Sequence, residues 1–379
     1  MNVGNVPAYA SIGVAVATHV PRERFNMQTM KRWAGAALGL ALLAGGQAMA
    51  DNKWWPIKVF DATSGKNVLV DYSPLPKAAK PWKICVLFPH MKDSFWVAVA
   101  YGIVEESKRM GVNMTLYEAG GYENLPKQLS QFDDCMASGF DAIVVGAISE
   151  AGLSQKFKEG IAKGKPVIST VNPVDKAETT AKMFVEFDTM GHQTGDYLVK
   201  SLKGKAAQAV TFPGPAGSGW AEKFNDGFKA SIKGTSVKLL DEKFGDSGVA
   251  VQLKLVQDSL QAYPDMNVIW GTAPTAEAAI GAVAEIGRQK DIMIMSSYEN
   301  QAMLDALNKG EIMGFATQYP VLEGRVAIDM AVRALEKKPL MKYVKPIPDM
   351  VAKANQSKIN MSLVLAPATW KPVYSVSAK

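Results

Sequence analysis

The chain has 379 residues, of which 48% are hydrophobic and 21% are charged. This is the composition of an ordinary globular protein, and the length is sufficient for two domains with cores of their own. Fibrous, disordered and disulfide-framework proteins are therefore excluded. The formal charge is +6, but the basic residues are spread along the chain, so binding to nucleic acid has little support.

The first fifty residues have the pattern of an export signal. Lys31 and Arg32 precede an apolar stretch at 33–44, and small residues lead up to Ala50. The apolar stretch is shorter than the roughly 20 residues that a membrane-spanning helix needs, so a cleaved signal peptide is favoured over a membrane anchor. We expect cleavage after Ala50 and export of the remaining chain. Residues 1–29 do not fit the start of a signal peptide, so Met30 or Met27 is a candidate for the true start.

After this leader, residues 51–81 predict an N-terminal extension with a small hairpin that turns at 64–67. From residue 82 onwards, apolar runs rich in β-formers alternate with segments of helical periodicity. The predicted strands are 84–88, 113–118, 142–145, 166–170, 183–187, 208–212, 237–244, 268–270, 292–297 and 314–318. The predicted helices are a first one that ends at 110, then 125–138, 153–162, 189–202, 220–232, 249–262, 275–286, 300–308 and 321–336. This alternation predicts an α/β fold with parallel, doubly wound sheets, and its length predicts two Rossmann-like lobes.

The loop at 89–96 leaves the carboxyl end of the first predicted strand and opens a helix. Open α/β sheets bind their ligands at this end of the strands. The loop carries one acidic and two aromatic side chains, Asp93, Phe95 and Trp96. We therefore expect these three residues at a ligand site.

Aromatic and weakly polar residues also follow other predicted strands. They are Tyr122, Phe187, Trp220, Tyr298 and Gln318. Each alone would more often pack in a core, but their shared placement at carboxyl ends favours a common site. Aromatic faces around a carboxylate suit a cation without N–H donors, because each ring attracts it by about 0.5–2 kcal/mol. A sugar site would instead use several Asp, Asn and Arg side chains.

Signatures of catalysis are missing from the sequence. Beyond the leader the chain has two histidines, His90 and His192, and no GxxxxGK[ST] phosphate loop. Neither a Ser-His-Asp triad nor a His-rich metal site is easily assembled from them, so we expect no catalytic residue, metal or cofactor. Two cysteines, Cys85 and Cys135, are too few for a metal cluster, and both a disulfide and a pair of buried free thiols remain open.

Several segments resemble the type I periplasmic binding proteins, and within that family the members that sense trimethylamine N-oxide with a membrane histidine kinase. The resemblance covers nearly the whole chain after the leader and includes the Cys85 and Cys135 pair. The segments that carry it are PWKICVLFPHMKDSFW (81–96), YEAGGY (117–122), FPGPAGSG (212–219), GTAPTAEAAIG (271–281) and KPVYSV (371–376).

The resemblance implies two lobes joined by a three-segment hinge. The N-terminal lobe is expected to comprise 82–188 and 320–338, and the C-terminal lobe with its tail 189–319 and 339–379. A ligand that contacts both lobes would then stabilise a closed state without any chemical step.

The resemblance also implies which residues wall the ligand pocket: Asp93, Phe95, Trp96, Tyr122 and Tyr298, with an aromatic residue near Phe187. It implies trimethylamine N-oxide or a related amine as ligand, and a sensor kinase ectodomain in the periplasm as partner. The alternative is the solute-binding component of an ABC importer for a sugar or a quaternary amine, because the same fold serves both roles. An exported enzyme is a third class.

Two positions depart from the family pattern. The first loop more often reads D-S-Y-W, so Phe95 lacks a hydroxyl that could donate to an N-oxide oxygen. Residues 185–188 read Val-Glu-Phe-Asp where a Val-Pro-Trp-Phe-like stretch is expected.

Overall fold

The computed structural model describes residues 53–378. The predicted signal peptide, with its cleavage after Ala50, lies outside these residues. In the described range no helix is long and apolar enough to cross a membrane.

Strands and helices alternate along most of the described chain. The strands are β1 (Ile57–Asp61), β2 (Val68–Tyr72), β3 (Lys83–Phe88), β4 (Asn113–Glu118), β5 (Ala142–Val145), β6 (Val167–Thr170), β7 (Ala181–Met183), β8 (Ala207–Phe212), β9 (Val237–Glu242), β10 (Val268–Gly271), β11 (Met293–Ser296), β12 (Phe315–Thr317), β13 (Tyr343–Lys345), β14 (Asp349–Val351) and β15 (Ser375–Val376). The α-helices are α1 (Ser94–Met110), α2 (Leu125–Ala137), α3 (Glu150–Ala162), α4 (Phe187–Leu202), α5 (Trp220–Ile232), α6 (Val249–Ala262), α7 (Ala273–Glu285), α8 (Gln301–Lys309) and α9 (Pro320–Leu335). Two short 3₁₀ helices lie at Gln356–Lys358 and Met361–Leu363.

The strands form two sheets, each the centre of one lobe. The sheet of lobe 1 has the order β15-β4-β3-β5-β6-β7-β13-β1-β2, and that of lobe 2 the order β14-β12-β11-β10-β8-β9. The central strands are parallel, and antiparallel pairs occur only towards the edges. Helices α1 and α9 pack on each other in lobe 1, as do α4 and α5 in lobe 2. The predicted α/β class with two parallel sheets is thereby confirmed.

The first strand, loop and helix form as the sequence pattern indicates. All residues of β3 after Lys83 are buried, which is typical of a central parallel strand covered on both faces. The side chain of Asp93 caps α1, because its Oδ1 accepts the backbone N–H of Phe95 at 3.0 Å. This hydrogen bond fixes where α1 begins, and with it the orientation of Phe95 and Trp96, which are the second and third residues of the helix. The predicted hairpin is also present, since β1 and β2 pair antiparallel across a turn that contains 64–67.

The fifth predicted strand, at 183–187, is wrong in its boundaries. Strand β7 ends at Met183, and Phe187 begins α4 in lobe 2. Phe184 and Val185 are buried in the connection between the lobes, so an apolar run that reads as a strand is a linker. Helix α4 is placed by close packing on α5: a Cβ on Gly191 would lie 2.1 Å from the carbonyl oxygen of Phe224.

The C-terminal tail differs from the expected assignment of 339–379 to the C-terminal lobe. Strand β13 pairs with β7 in lobe 1, β14 pairs with β12 in lobe 2, and β15 returns to pair with β4 in lobe 1. The third crossing between the lobes therefore follows Lys345 rather than residue 338. Short apolar strands separated by prolines carry no periodicity that says which sheet they join.

Cys85 in β3 and Cys135 in α2 form a disulfide, with Cα atoms 6.0 Å apart. Both residues are fully buried in the core between the sheet of lobe 1 and its helices α2 and α3. The bond closes a loop of 50 residues.

Replacing both cysteines by alanine should destabilise the protein by about 4 kcal/mol, because a cross-link over a loop of this length restricts the unfolded chain. The melting midpoint should fall by several degrees. Reductant should lower the midpoint of the native chain to a similar extent and leave that of the double variant unchanged. Titration of two free thiols in the native protein, purified without reductant, would contradict the bond.

Candidate ligand site between the lobes

A small cavity lies where the carboxyl ends of the strands of the two lobes face each other. About 20 Å³ of it is open to the centre of a water-sized sphere, so the side chains are packed closely around it. Most of the lining is aromatic. The lining residues are His90, Phe95, Trp96, Tyr122, Val171, Asn172, Phe187, Trp220, Phe224, Ser247, Tyr298 and Gln318.

Seven of the eight residues expected at a ligand site lie at this cavity: Phe95, Trp96, Tyr122, Phe187, Trp220, Tyr298 and Gln318. The eighth, Asp93, lies beside the cavity. Its carboxylate accepts hydrogen bonds from the hydroxyl of Tyr298 at 2.7 Å and from Nδ2 of Asn300 at 3.0 Å, in addition to the helix cap. Because Asp93 belongs to lobe 1 and its two side-chain partners to lobe 2, this carboxylate holds the lobes together.

The aromatic rings contact one another across the two lobes. The ring centroids of Phe95 and Tyr298 are 5.4 Å apart, and those of Tyr122 and Trp220 are 5.7 Å apart. Each pair joins a residue of lobe 1 to one of lobe 2. Such edge-on and tilted ring pairs are favourable, so the rings both shape the cavity and stabilise the closed arrangement.

Five lining residues were not singled out by the sequence analysis: His90, Val171, Asn172, Phe224 and Ser247. His90 lies in the loop that was chosen as the site, but it was considered only as a catalytic or metal residue. Phe224 follows Trp220 by one helical turn, a spacing that usually indicates core packing. Val171, Asn172 and Ser247 lie in loops after β6 and β9, where Asn and Ser read as parts of a turn.

The polar groups of the cavity are uncharged at neutral pH. Burial lowers the pKa of His90 below its usual value, so its imidazole is neutral. Burial also raises the pKa of the Tyr122 and Tyr298 hydroxyls. The Tyr122 hydroxyl and Nδ2 of Asn172 are 3.0 Å apart. No charged side chain of the described residues lines the cavity.

Several polar atoms of the lining are buried without a protein partner in the described range. They are Nδ1 and Nε2 of His90, Nε1 of Trp220, Oγ of Ser247 and Oε1 of Gln318. Buried polar atoms are nearly always hydrogen-bonded in proteins. Their grouping around one cavity indicates a site for a ligand that has polar groups of its own.

Two buried carboxylates flank the crossing of the chain from β12 to α9. Oε1 of Glu299 accepts hydrogen bonds from the hydroxyl of Thr317 at 2.7 Å and from the backbone N–H of Gln318 at 3.0 Å. Both oxygens of Glu323, in the first turn of α9, lack a partner among the described residues. Burial raises the pKa of Glu299 to about 7, and burial together with the charge of Glu299 raises that of Glu323 well above its usual value.

This architecture, two parallel sheets with a cavity between their carboxyl ends and several chain crossings, is that of a type I periplasmic binding protein. A family model described as "Periplasmic binding protein domain" matches residues 84–339. The chain belongs to this family.

Among the members of this family, the chain is similar to a periplasmic protein of Escherichia coli. The periplasmic protein TorT of Escherichia coli K12 is 32% identical over 298 residues, which is 79% of this chain and 86% of TorT. A structure of the TorS sensor domain–TorT complex in the presence of TMAO matches with a TM-score of 0.71 and 27% identity, over 77% of this chain and 99% of that one. The chain is thus a TorT-like type I periplasmic binding protein.

A third similarity is to an ABC transporter solute-binding protein. The crystal structure of this protein, from Bradyrhizobium sp. BTAi1 with bound BIS-TRIS, has a TM-score of 0.74 and 44% identity, and the match covers 85% of this chain and 98% of that one.

Proposed function

We propose that this protein closes on trimethylamine N-oxide, or on a similarly compact methylated amine or amine oxide, and presents its closed state to the ectodomain of a membrane sensor histidine kinase in the periplasm. The observation that carries the proposal is the uncharged aromatic cavity whose walls come from both lobes. The protein performs no chemical step in this role.

The chemistry of the cavity suits methyl groups on a positively polarised nitrogen. Ring faces attract such a group by about 0.5–2 kcal/mol per contact, and Phe95, Trp96, Tyr122, Phe187 and Tyr298 offer rings from both lobes. The sequence analysis favoured a cation beside a carboxylate, but the carboxylate of Asp93 is engaged by Tyr298 and Asn300. An overall neutral N-oxide therefore fits the uncharged lining better than a free cation does.

Closure follows from contacts with both lobes. A ligand shifts the equilibrium between open and closed states only by its difference in affinity for them. Rings such as Phe95 in lobe 1 and Trp220 in lobe 2 surround one ligand only when the lobes approach. Ligand binding is thereby converted into a change of outer surface that a partner can recognise.

Support for a kinase partner comes from the similarity to TorT, because this chain matches the fold found in structures of the TorS sensor domain–TorT complex. The second candidate is a solute-binding component of an ABC importer. It is favoured by the 44% identity to the ABC transporter solute-binding protein with bound BIS-TRIS. The two candidates share the site and differ in the partner.

The ligand is tested by thermal unfolding of the exported protein with trimethylamine N-oxide, trimethylamine, betaine, choline and a panel of sugars at equal concentrations. A ligand at 100 times its Kd adds about 2.7 kcal/mol of stability, which raises the midpoint by several degrees. An equal dose of a non-binding osmolyte is the control, because trimethylamine N-oxide at high concentration stabilises most proteins. A saturable shift with the N-oxide supports the proposal, and a shift with sugars alone contradicts it.

The partner is tested by co-purification with a TorS-like kinase ectodomain and, in parallel, with an ABC permease. Complex formation with the ectodomain is expected. Binding to the permease alone would establish the importer role.

The Asp93→Asn variant should weaken neutral and cationic ligands by the same factor, about tenfold, because Asp93 acts by joining the lobes and not by contact with ligand charge. An amide cannot accept all the hydrogen bonds that the carboxylate takes from Phe95, Tyr298 and Asn300. The measurement is calorimetric titration with trimethylamine N-oxide and with tetramethylammonium. A loss confined to the cation would show that the carboxylate faces the ligand.

A further inference from the structure

Four residues form what we call the polar edge of the cavity: His90, Trp220, Ser247 and Gln318. Each has at least one buried side-chain nitrogen or oxygen without a partner in the described part of the chain. The side chains are almost completely buried, with exposed fractions of 2% for His90, 4% for Trp220 and 3% for Gln318. An unmade hydrogen bond at such a position costs about 1–3 kcal/mol.

The two ring members of the polar edge both pack near Tyr122. The centroids of His90 and Tyr122 are 5.5 Å apart, and those of Tyr122 and Trp220 are 5.7 Å apart. His90 follows β3 in lobe 1, whereas Trp220 is the first residue of α5 in lobe 2. Because both residues line the same cavity, each lobe contributes one N–H-bearing ring to it.

Trp220 and His90 each bring a ring N–H without a protein partner to the cavity, beside the unpaired hydroxyl of Ser247, in the described part of the chain. Indole Nε1 is a donor only, and a neutral imidazole has one N–H. The low pKa of His90 keeps the imidazole neutral at pH 7. The hydroxyls of Tyr122 and Tyr298 are engaged by Asn172 and Asp93, and Phe95 has no hydroxyl to offer.

On these grounds, and resting on the proposed function, we infer that Trp220 Nε1–H and a ring N–H of His90 bind the oxygen of the ligand from opposite lobes and so select oxygen-bearing ligands over their methyl analogues. Closure on a ligand without this oxygen leaves both N–H groups buried and unpaired. Closure on an N-oxide pairs them, so the oxygen adds to the affinity of the closed state alone.

The test compares two probes of similar size and shape, trimethylamine N-oxide and tetramethylammonium, which has a methyl group in place of the oxygen. Their Kd values are measured by calorimetric titration on the native exported protein and on two variants, Trp220→Phe and His90→Phe. Both variants keep an aromatic ring and lose the N–H. Trp370→Phe, which removes an indole that packs on Tyr101 outside the cavity, is the matched control.

The native chain should bind the N-oxide at least about tenfold more tightly than tetramethylammonium, and each variant should lose about tenfold for the N-oxide with little change for tetramethylammonium. The control should behave as the native chain. If either variant keeps the native ratio between the Kd values for tetramethylammonium and for trimethylamine N-oxide, the inference is wrong and the proposed function is unaffected. A folded native chain that binds neither probe overturns both.

Discussion

Replacing Trp96 by alanine should lower the affinity for trimethylamine N-oxide by about a hundredfold or more, which is about 2.7 kcal/mol. The indole is 3% exposed and packs on Phe88, with ring centroids 4.7 Å apart. It also lies against Gly146, where a Cβ would come within 2.5 Å of the ring. The ring is thus held rigidly at the cavity, and its loss removes one aromatic face and much of the apolar surface that covers the ligand.

The same substitution should destabilise the fold by about 3–5 kcal/mol, because a large buried ring is removed. Phe157→Ala is the matched control, since Phe157 is fully buried in lobe 1 and does not line the cavity. It should cost similar stability and leave Kd unchanged. The readouts are the melting midpoint without ligand and Kd by calorimetric titration. If Trp96→Ala binds with a Kd within about threefold of the native value, the aromatic cavity is not the ligand site.

The order of strands and helices is predictable from this sequence because it depends on local periodicity. Strands β4 and β5 and helices α5 and α6 have the expected boundaries, and most other predicted elements differ by one to three residues at an end. The failure at 183–187 has a different cause. Phe184 and Val185 are apolar because they pack in a connection between the lobes, and no local pattern separates such a linker from a strand. Sheet membership of β13, β14 and β15 depends on long-range pairing, which a single sequence does not encode in its periodicity.

The aromatic part of the candidate site is predictable because its residues follow parallel strands, whose carboxyl ends meet. The structural role of Asp93, in contrast, is not predictable from the sequence. Its acidity suggested a contact with a cation, whereas the fold places Tyr298 and Asn300 of the other lobe within hydrogen-bond distance. The polar edge is equally hidden in the sequence, because His90 and Ser247 become ligand-binding candidates only when their nitrogen and oxygen atoms are found buried beside one cavity.

The chain crossing at Gln318 joins the ligand cavity to the hinge. Gln318 lines the cavity, and its backbone N–H donates to the carboxylate of Glu299. Tyr319, the next residue, has the left-handed φ of 63°, and α9 follows. Any rearrangement of the lobes must alter the surroundings of Glu299 and Glu323, so the protonation of these carboxylates is linked to the stability of the closed fold.

The free energy of unfolding should therefore fall as pH rises through neutrality. A carboxyl group with a raised pKa in the folded state contributes stability that is complete below its unfolded pKa and is lost as pH rises through its folded pKa. For Glu299 this loss occurs between its usual pKa of 4.5 and its folded-state pKa of about 7. The shift corresponds to a decrease of about 3 kcal/mol in the free energy of unfolding. Glu323 extends the loss to higher pH, because its pKa is also raised. His90 acts in the opposite direction below its usual pKa of 6.5, since the unfolded chain then takes up the proton.

The contribution of the carboxylates is isolated by comparing the native chain with Glu323→Gln and Glu299→Gln between about pH 5 and pH 8. Glutamine mimics the protonated side chain, so each variant should lose stability less steeply with rising pH than the native chain does, whatever its offset at low pH. The effect of His90 is common to all three proteins and cancels in the difference. Glu285→Gln, a change at an exposed residue on α7, is the control and should keep the native slope. If the curves of unfolding free energy against pH are parallel for the native chain, Glu299→Gln and Glu323→Gln, then both carboxyl groups are ionised in the folded protein. The crossing at Gln318 would then contain two buried negative charges.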